Sequence, residues 1–309
     1  MKSIRFHDYG GPEVMQLEEL PRPAVNDDEI LVRVIAMGVN PVDWKIREGL
    51  VRQRIKIPLP ATPGGDVSGV IEQLGSAVQG VSIGQPVFAY IGLMGAYAQF
   101  VAIKADIAAP KPSSLDHLHA AAVPLAALTA WQALFDKGGL KSGQRVLVHA
   151  AAGGVGGFAV QIARNAGAEV VGTCSPNNFD YVRGMGAHSV IDYHGSFEPL
   201  AGSFDLVLDV MGGETGMRSL QLLKSTGVHV GVAPPSEALT QQLTAAGQRV
   251  LPIMVQSNGK QLAQIGTLID AGKISTTLAA IFPLAEAGRA HDLIKTGHTR
   301  GKIVLRGES

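Results

Sequence analysis

The sequence predicts an α/β protein of two domains, a β-rich, barrel-like segment followed by a doubly wound parallel sheet. Three observations carry this. Up to about Ile107 the chain reads as short strands punctuated by turn residues. From Gln144 near-continuous apolar strands alternate with apolar-periodic helices. Glycines and alanines crowd the place where the first of those later strands gives way to a helix. A length of 309 residues suits two domains rather than one, and 46% hydrophobic residues supply a core for each.

In the first half the strand signals are Glu29–Asn40 (EILVRVIAMGVN), Val67–Gly75 (VSGVIEQLG), Gln85–Tyr90 (QPVFAY) and Ala96–Ile103 (AYAQFVAI), rich in Val, Ile and aromatics. Gly-Pro, Pro-Gly-Gly and Gly-Gln-Pro separate them. Ser113–Leu140 then reads as one helix, with Ser113 or Ser114 as N-cap and Gly138-Gly139 as its stop. Six strand signals follow: Arg145–Ala150, Glu169–Cys174, Ser189–Tyr193, Phe204–Val210, Gly227–Ala233 and Arg249–Met254. Helical stretches between them imply a parallel sheet covered on both faces. The final β-like run, Gly301–Gly307 (GKIVLRG), can return to the first domain.

Charge and cysteine content remove several functions. Lys+Arg and Asp+Glu are 26 each, which gives no basic footprint for nucleic acid. No apolar run approaches the roughly 20 residues of a membrane span. The opening MKSIRFHDYGGPEV has no apolar signal-peptide core, so the expected location is the cytoplasm. Cys174 is the only cysteine, which excludes an intrachain disulfide and a cysteine-rich zinc site. It lies in an apolar strand and reads as a small buried hydrophobe. His117 and His119, two residues apart at a helix start, point to different faces and read as exposed side chains rather than a metal pair.

Ala151-Ala152-Gly153-Gly154-Val155-Gly156 sits between strand and helix, in the slot of a dinucleotide fingerprint whose first glycine is replaced by Ala151. Small residues let backbone N–H groups approach a pyrophosphate, and the helix dipole favours the anion. The competing reading is that the glycines serve helix–sheet packing alone. The second strand of this unit ends Thr173-Cys174-Ser175, and no acid follows until Asp180. A carboxylate there would bond a ribose 2′-hydroxyl and repel a 2′-phosphate, so its absence permits NADP(H). Ser175, Asn178 and Tyr193 are the candidate donors to that phosphate, with cap and turn roles as the alternative for Ser175 and Asn178.

With these segments in view, Gly38–Gly49 (GVNPVDWKIREG), Pro60–Gly75 (PATPGGDVSGVIEQLG), Pro124–Leu134 (PLAALTAWQAL) and Asp209–Gly227 (DVMGGETGMRSLQLLKSTG) resemble the medium-chain dehydrogenase/reductase superfamily. The resemblance runs through the whole chain and is to the zinc-free quinone oxidoreductase branch that includes zeta-crystallin. It implies a GroES-like β-barrel substrate domain (1–117 and 273–309), a Rossmann NADP(H)-binding domain (118–272), an active site in the cleft between them, and a homodimer. Asn40 stands where the zinc-using relatives have a catalytic cysteine, and Gly65 where they have a histidine ligand, so no metal is expected. A basic residue frequent in the NADPH-using branch is replaced by Asn178.

With no zinc to polarise an alcohol, the expected reaction is hydride delivery to a small, already activated acceptor, a quinone or an α,β-unsaturated carbonyl. Asn40 is expected to bond the substrate carbonyl or the nicotinamide ribose, with Asp43 and Lys45 as supporting or proton-relay groups; a solvated loop pair is the alternative for those two. The resemblance adds Thr129, Ala233 and Lys302 to Ala152, Gly153, Gly154, Val155, Ser175, Asn178 and Tyr193 as cofactor-binding positions. A 2-enoyl thioester reductase and a non-catalytic, crystallin-like NADPH-binding protein are the alternative functions.

Overall fold

The computed structural model describes residues 1–307 and divides them into two units, 1–125 with 257 onward, and 126–256. The chain runs through β1 (Lys2–Phe6), β2 (Met15–Glu19), β3 (Glu29–Val39), β4 (Asp66–Leu74), β5 (Pro86–Tyr90), β6 (Phe100–Lys104) and β7 (Ala108–Pro110). It continues through β8 (Arg145–Val148), β9 (Glu169–Cys174), β10 (Ser189–Asp192), β11 (Phe204–Asp209), β12 (Leu223–Gly231) and β13 (Arg249–Pro252), then returns with β14 (Leu278–Pro283) and β15 (Lys302–Arg306).

In the first unit β3 is the spine. Its first half, Glu29–Arg33, pairs antiparallel with β6, and its second half, Ala36–Val39, pairs antiparallel with β15. From Ile30 to Gly38 it also pairs with β4. Register irregularities at Leu31/Val32 and Val34/Ala36 bend the strand, which lets one strand serve three partners. The sheet order is β14-β15-β3-β4-β5-β7, and Ile30, Val32, Val67, Ile71, Val87 and Ile303 fill its core. The C-terminal run therefore returns to the first unit, as its β-like pattern implies.

The second unit is a six-stranded sheet in the order β10-β9-β8-β11-β12-β13, every pairing parallel. All six strands match the six apolar runs in the sequence. The strand order reverses direction between β8 and β11, and in such sheets ligands bind at the carboxyl ends of the strands beside that switch point.

Two expectations change. The boundaries at 117/118 and 272/273 move to 125/126 and 256/257. The helix His117–Ala121 packs on β3, β4 and β15, and the helix Gly259–Asp270 packs on β7, so both belong to the first unit. The single helix over 113–140 is broken into His117–Ala121 and Pro124–Trp131, followed by a π-helical turn, Gln132–Lys137. Pro124 cannot continue the first helix and instead opens the second. The N-cap is Asp116, whose carboxylate accepts from the His119 amide at 2.8 Å. Ser113 and Ser114 bond the Asp270 carboxylate instead. Among the described residues no helix is long and apolar enough to cross a membrane.

Candidate active site

In the first unit the β3–β15 register brings Ile303 opposite Val39, so Lys302 arrives beside Asn40. The β3–β4 register sets Asp66 opposite Gly38, where a side chain would lie 2.8 Å from the Asp66 carboxylate. Asn40, Asp66 and Lys302 meet there, all buried. Asn40 Nδ2 donates to Asp66 Oδ2 at 2.9 Å, and Lys302 Nζ donates to Asn40 Oδ1 and to the Val39 carbonyl. Nζ lies 3.6 Å from Asp66 Oδ2, and the Leu125 amide donates to Asp66 Oδ1 at 2.7 Å.

Burial pushes the Lys302 amine down and the Asp66 carboxyl up. The contacts act against both trends. Three acceptors face Nζ and only donors face the Asp66 oxygens, so the geometry fits an ammonium and a carboxylate. Such a pair stabilises little in net terms, because desolvation offsets the attraction, but removing one partner strands a buried charge.

The same cluster extends through Asp43, on the helix Pro41–Arg47. Asp43 Oδ2 accepts from the Asn40 amide at 2.8 Å and from the Tyr97 hydroxyl at 2.8 Å. Tyr97 Oη also meets His291 Nε2 at 3.2 Å, and His291 Nδ1 meets Arg47 at 3.4 Å. This chain has one possible direction. Arg47 only donates, so His291 Nδ1 accepts and Nε2 carries the proton. Tyr97 accepts from Nε2–H and spends its own proton on Asp43. Burial lowers His291 to about 3, consistent with a neutral ring. Burial also pushes Asp43 up to about 7, against the bonds from Asn40 and Tyr97. Oδ2 already accepts two donors, whereas Oδ1 is buried without a partner. A proton taken up by Asp43 therefore goes to Oδ1.

Of the residues expected at this site, Asn40, Asp43 and Lys302 come together and Lys45 does not. Asn40 is 1% exposed with both ends of its amide engaged, so it orients Lys302 and Asp66. Lys302 is an internal cation of the first unit, held by the Val39 carbonyl and Asn40. Lys45 points outward, its Nζ 5.8 Å from the Trp44 ring, and takes no part in the cluster. His117, expected to be exposed, is half-buried with Nδ1 2.8 Å from Ser68 Oγ, because its helix packs on β4; His119 bonds Asp116. Asp66, Tyr97, His291 and Arg47 were not singled out by sequence.

The second unit carries the glycine turn as its sequence predicts. Ala150 adopts φ +47°, Gly153 caps the helix Gly154–Asn165, and the amides of Gly154, Val155 and Gly156 lead that helix with no intrahelical acceptor. A Cβ at Gly156 would lie 2.2 Å from the Ala150 carbonyl oxygen, and one at Gly153 would lie 3.3 Å from the same atom. Gly156 is thus a packing glycine, while Gly153, Gly154 and Val155 are only partly covered and Ala152 is nearly buried beside them. Packing accounts for the missing side chain at Gly156 and does not account for the open backbone at Gly153 and Gly154. A bare backbone with three unpaired amides at a helix N-terminus suits a dinucleotide pyrophosphate.

Behind the turn His149 is fully buried. Ser219 Oγ donates to the Thr215 carbonyl at 2.9 Å, so it accepts from His149 Nε2 at 2.7 Å, and Nδ1 accepts from the Thr173 hydroxyl at 3.0 Å. Burial lowers this histidine to about 4. It ties the ends of β8 and β9 to the helix after β11. Asp209 Oδ1 accepts from the amides of Met211 and Gly212, fixing the β11 turn against Ala233 at the end of β12.

At the end of β9 Asn178 Nδ2 donates to Ser175 Oγ at 3.1 Å. Tyr193 follows β10 immediately and is 38% exposed. Extending the β9–β10 register by one residue sets Tyr193 beside Ser175. Thr129 is buried in the helix Pro124–Trp131. Cys174 is buried, and burial pushes its thiol up to about 11, as suits a packing residue.

A switch-point glycine turn in a parallel sheet, joined to a strand-rich unit with a buried ionic cluster, defines a nucleotide-dependent oxidoreductase of two units. Two family models match, "Alcohol dehydrogenase GroES-like domain" over residues 26–113 and "Zinc-binding dehydrogenase" over residues 185–305. The chain belongs to the medium-chain dehydrogenase/reductase superfamily, among its quinone oxidoreductase-like members. It is 32% identical to an NADPH-dependent alkenal/one oxidoreductase of Arabidopsis thaliana, over 99% of this chain and 79% of that protein. A quinone oxidoreductase from Coxiella burnetii superposes with a TM-score of 0.92 at 36% identity, covering 99% of both chains. The Escherichia coli quinone oxidoreductase complexed with NADPH gives 0.90 at 30% identity, over 99% of this chain and 100% of that one.

Proposed function

We propose that this protein is a zinc-independent, NADPH-dependent reductase whose acceptor is a quinone or an α,β-unsaturated carbonyl. One observation carries the reading. The positions that could serve a metal are closed: Asn40 is bonded to Lys302 and Asp66, and a Cβ at Gly65 would lie 2.0 Å from the Gly92 carbonyl oxygen, so no side chain can stand there. A substrate must then bring its own electrophilicity, which quinones and enones do and simple alcohols do not. The names of the relatives agree with both acceptor classes and with NADPH.

When bound, NADPH supplies a hydride. The amides of Gly154, Val155 and Gly156 would hold its pyrophosphate, and Ser175, Asn178 and Tyr193 would take its 2′-phosphate. Asp43 is a buried carboxyl of the first unit that can take up a proton near neutral pH, at Oδ1, with Tyr97 and Asn40 fixing the carboxyl. A cytoplasmic homodimer completes the reading, and sedimentation measures its second half.

The test is NADPH oxidation against a panel of quinones, enones and 2-enoyl thioesters, with and without a strong chelator. Turnover of quinones or enones that survives chelation is expected. Turnover of thioesters alone, or cofactor binding with no turnover of any acceptor, would replace this reading.

A further inference from the structure

The end of β9 carries no acid in sequence, but the fold brings one to it. In the β9–β10 pairing Asp192 lies directly opposite Cys174, one strand spacing away, about 4.8 Å between neighbouring strands. Paired residues of parallel neighbours point to the same face, so the Asp192 carboxylate and the Cys174 thiol share one side of the sheet. Asp192 Oδ1 accepts from the His194 amide at 3.0 Å, beyond the strand end. That bond turns the carboxylate toward the carboxyl edge, where Ser175, Asn178 and Tyr193 stand. Its charge reaches the edge of β9: after burial, Asp192 is the next cause of the raised Cys174 thiol.

Among the described residues, the ion pairs of this edge leave Asp192 without a guanidinium or ammonium partner. Arg183, on the next helix, bonds Asp180 at 3.1 Å. Arg218 donates to the carbonyls of Tyr193 and Gly195. Asn178, a neutral residue just past the end of β9, donates its amide to Ser175.

We infer that Asp192 is a specificity-determining residue that holds down the preference for NADPH over NADH, by setting a negative charge beside the place of the 2′-phosphate. The inference rests on the proposal above that this phosphate lies at the end of β9. A like charge about one to two strand spacings away, screened by water, lowers the affinity of a dianionic phosphate on the order of five- to tenfold and leaves the uncharged 2′-hydroxyl of NADH nearly untouched.

The experiment measures dissociation constants of NADPH and NADH by titration calorimetry for the native protein, Asp192→Asn, Asp192→Ser and Ser175→Asp. Asp192→Ser keeps an oxygen for the His194 amide, so it guards against loss of the turn. Both Asp192 variants should tighten NADPH about five- to tenfold, change NADH less than twofold, and show a smaller effect at high salt. Ser175→Asp should shift the preference toward NADH. If the ratio of the two constants is unchanged in both Asp192 variants while Ser175→Asp shifts it, the role of Asp192 is refuted and the phosphate site stands. A loss of NADH affinity in the Asp192 variants would also refute it, because Asp192 would then be bonding a ribose hydroxyl. If Ser175→Asp too leaves the ratio unchanged, the phosphate lies elsewhere and both readings fall.

Discussion

Asp43 makes the stability of this protein depend on pH in an unusual direction for a carboxylate. Its carboxyl is pushed from 3.8 to about 7 by burial. Between those values the folded chain holds a proton that the unfolded chain has released, so stability falls as pH rises through the window. The contribution is fully present below about pH 4 and gone above about pH 7. A rise of that size corresponds to roughly 4 kcal/mol over the whole range, of which about 2 to 3 kcal/mol lies between pH 5 and pH 8. Other groups titrate too. Asp205 and Asp270 are held below the usual carboxylate range, the first with burial opposed by the Arg145 amide and Lys224, the second chiefly by the Ser114 amide, and both act the opposite way. The informative quantity is therefore the difference between the native protein and Asp43→Asn. Asparagine keeps one oxygen for the Asn40 amide and the Tyr97 hydroxyl and sets an amide NH2 where Oδ1 was. That variant loses the titration while keeping the shape. Urea unfolding at pH 5 and pH 8 should show the native protein losing about 2 to 3 kcal/mol more than Asp43→Asn over that interval. Parallel losses in the two proteins would mean that Asp43 is ionised throughout and that its unpartnered oxygen holds no proton.

Further outcomes follow from the turn and from the closed metal positions. Gly154→Val should fold yet weaken NADPH binding at least tenfold, whereas Gly156→Ala, whose Cβ meets the Ala150 carbonyl, should cost about 1–3 kcal/mol of stability as well; thermal melts beside cofactor titrations separate the two. The double variant Asn40→Cys, Gly65→His should acquire no zinc, measured by elemental analysis of folded protein, because the Gly92 carbonyl leaves no room at 65. Lys302→Met should be less stable than the native protein by about 3–5 kcal/mol, since it leaves Asp66 buried and unpaired; adding Asp66→Asn should recover part of that loss in denaturant titrations.

Parallel strands buried on both faces write themselves as local apolar runs, and a pyrophosphate turn needs its small residues consecutively. For that reason β8 to β13 and residues 151–156 were legible without a structure. The helix start at Asp116 and the break at Pro124 were equally local, but a rival local signal, the serines at 113 and 114, obscured the first of them. The buried cluster was not legible, because nothing local joins Lys302 to Asn40; only the antiparallel return of β15 onto β3 does. The bonding of Asn40 was hidden for the same reason. Read alone, an asparagine at the head of a helix offers a free amide, and its partners lie 26 and 262 positions away in the chain.

Asp192 is an intermediate case. Its place at the end of an apolar run was visible, but its relevance to the phosphate came from the neighbouring strand, not from the spacing of a motif. A fingerprint searched for along the chain finds acids at the end of the second strand and overlooks those at the end of the third. In a doubly wound sheet the two strand ends are neighbours, so the charge that a 2′-phosphate meets is a property of the edge. Reading cofactor preference from this fold therefore requires the pairing of β9 with β10, and the absence of an acid at Ser175 is by itself insufficient ground for NADPH.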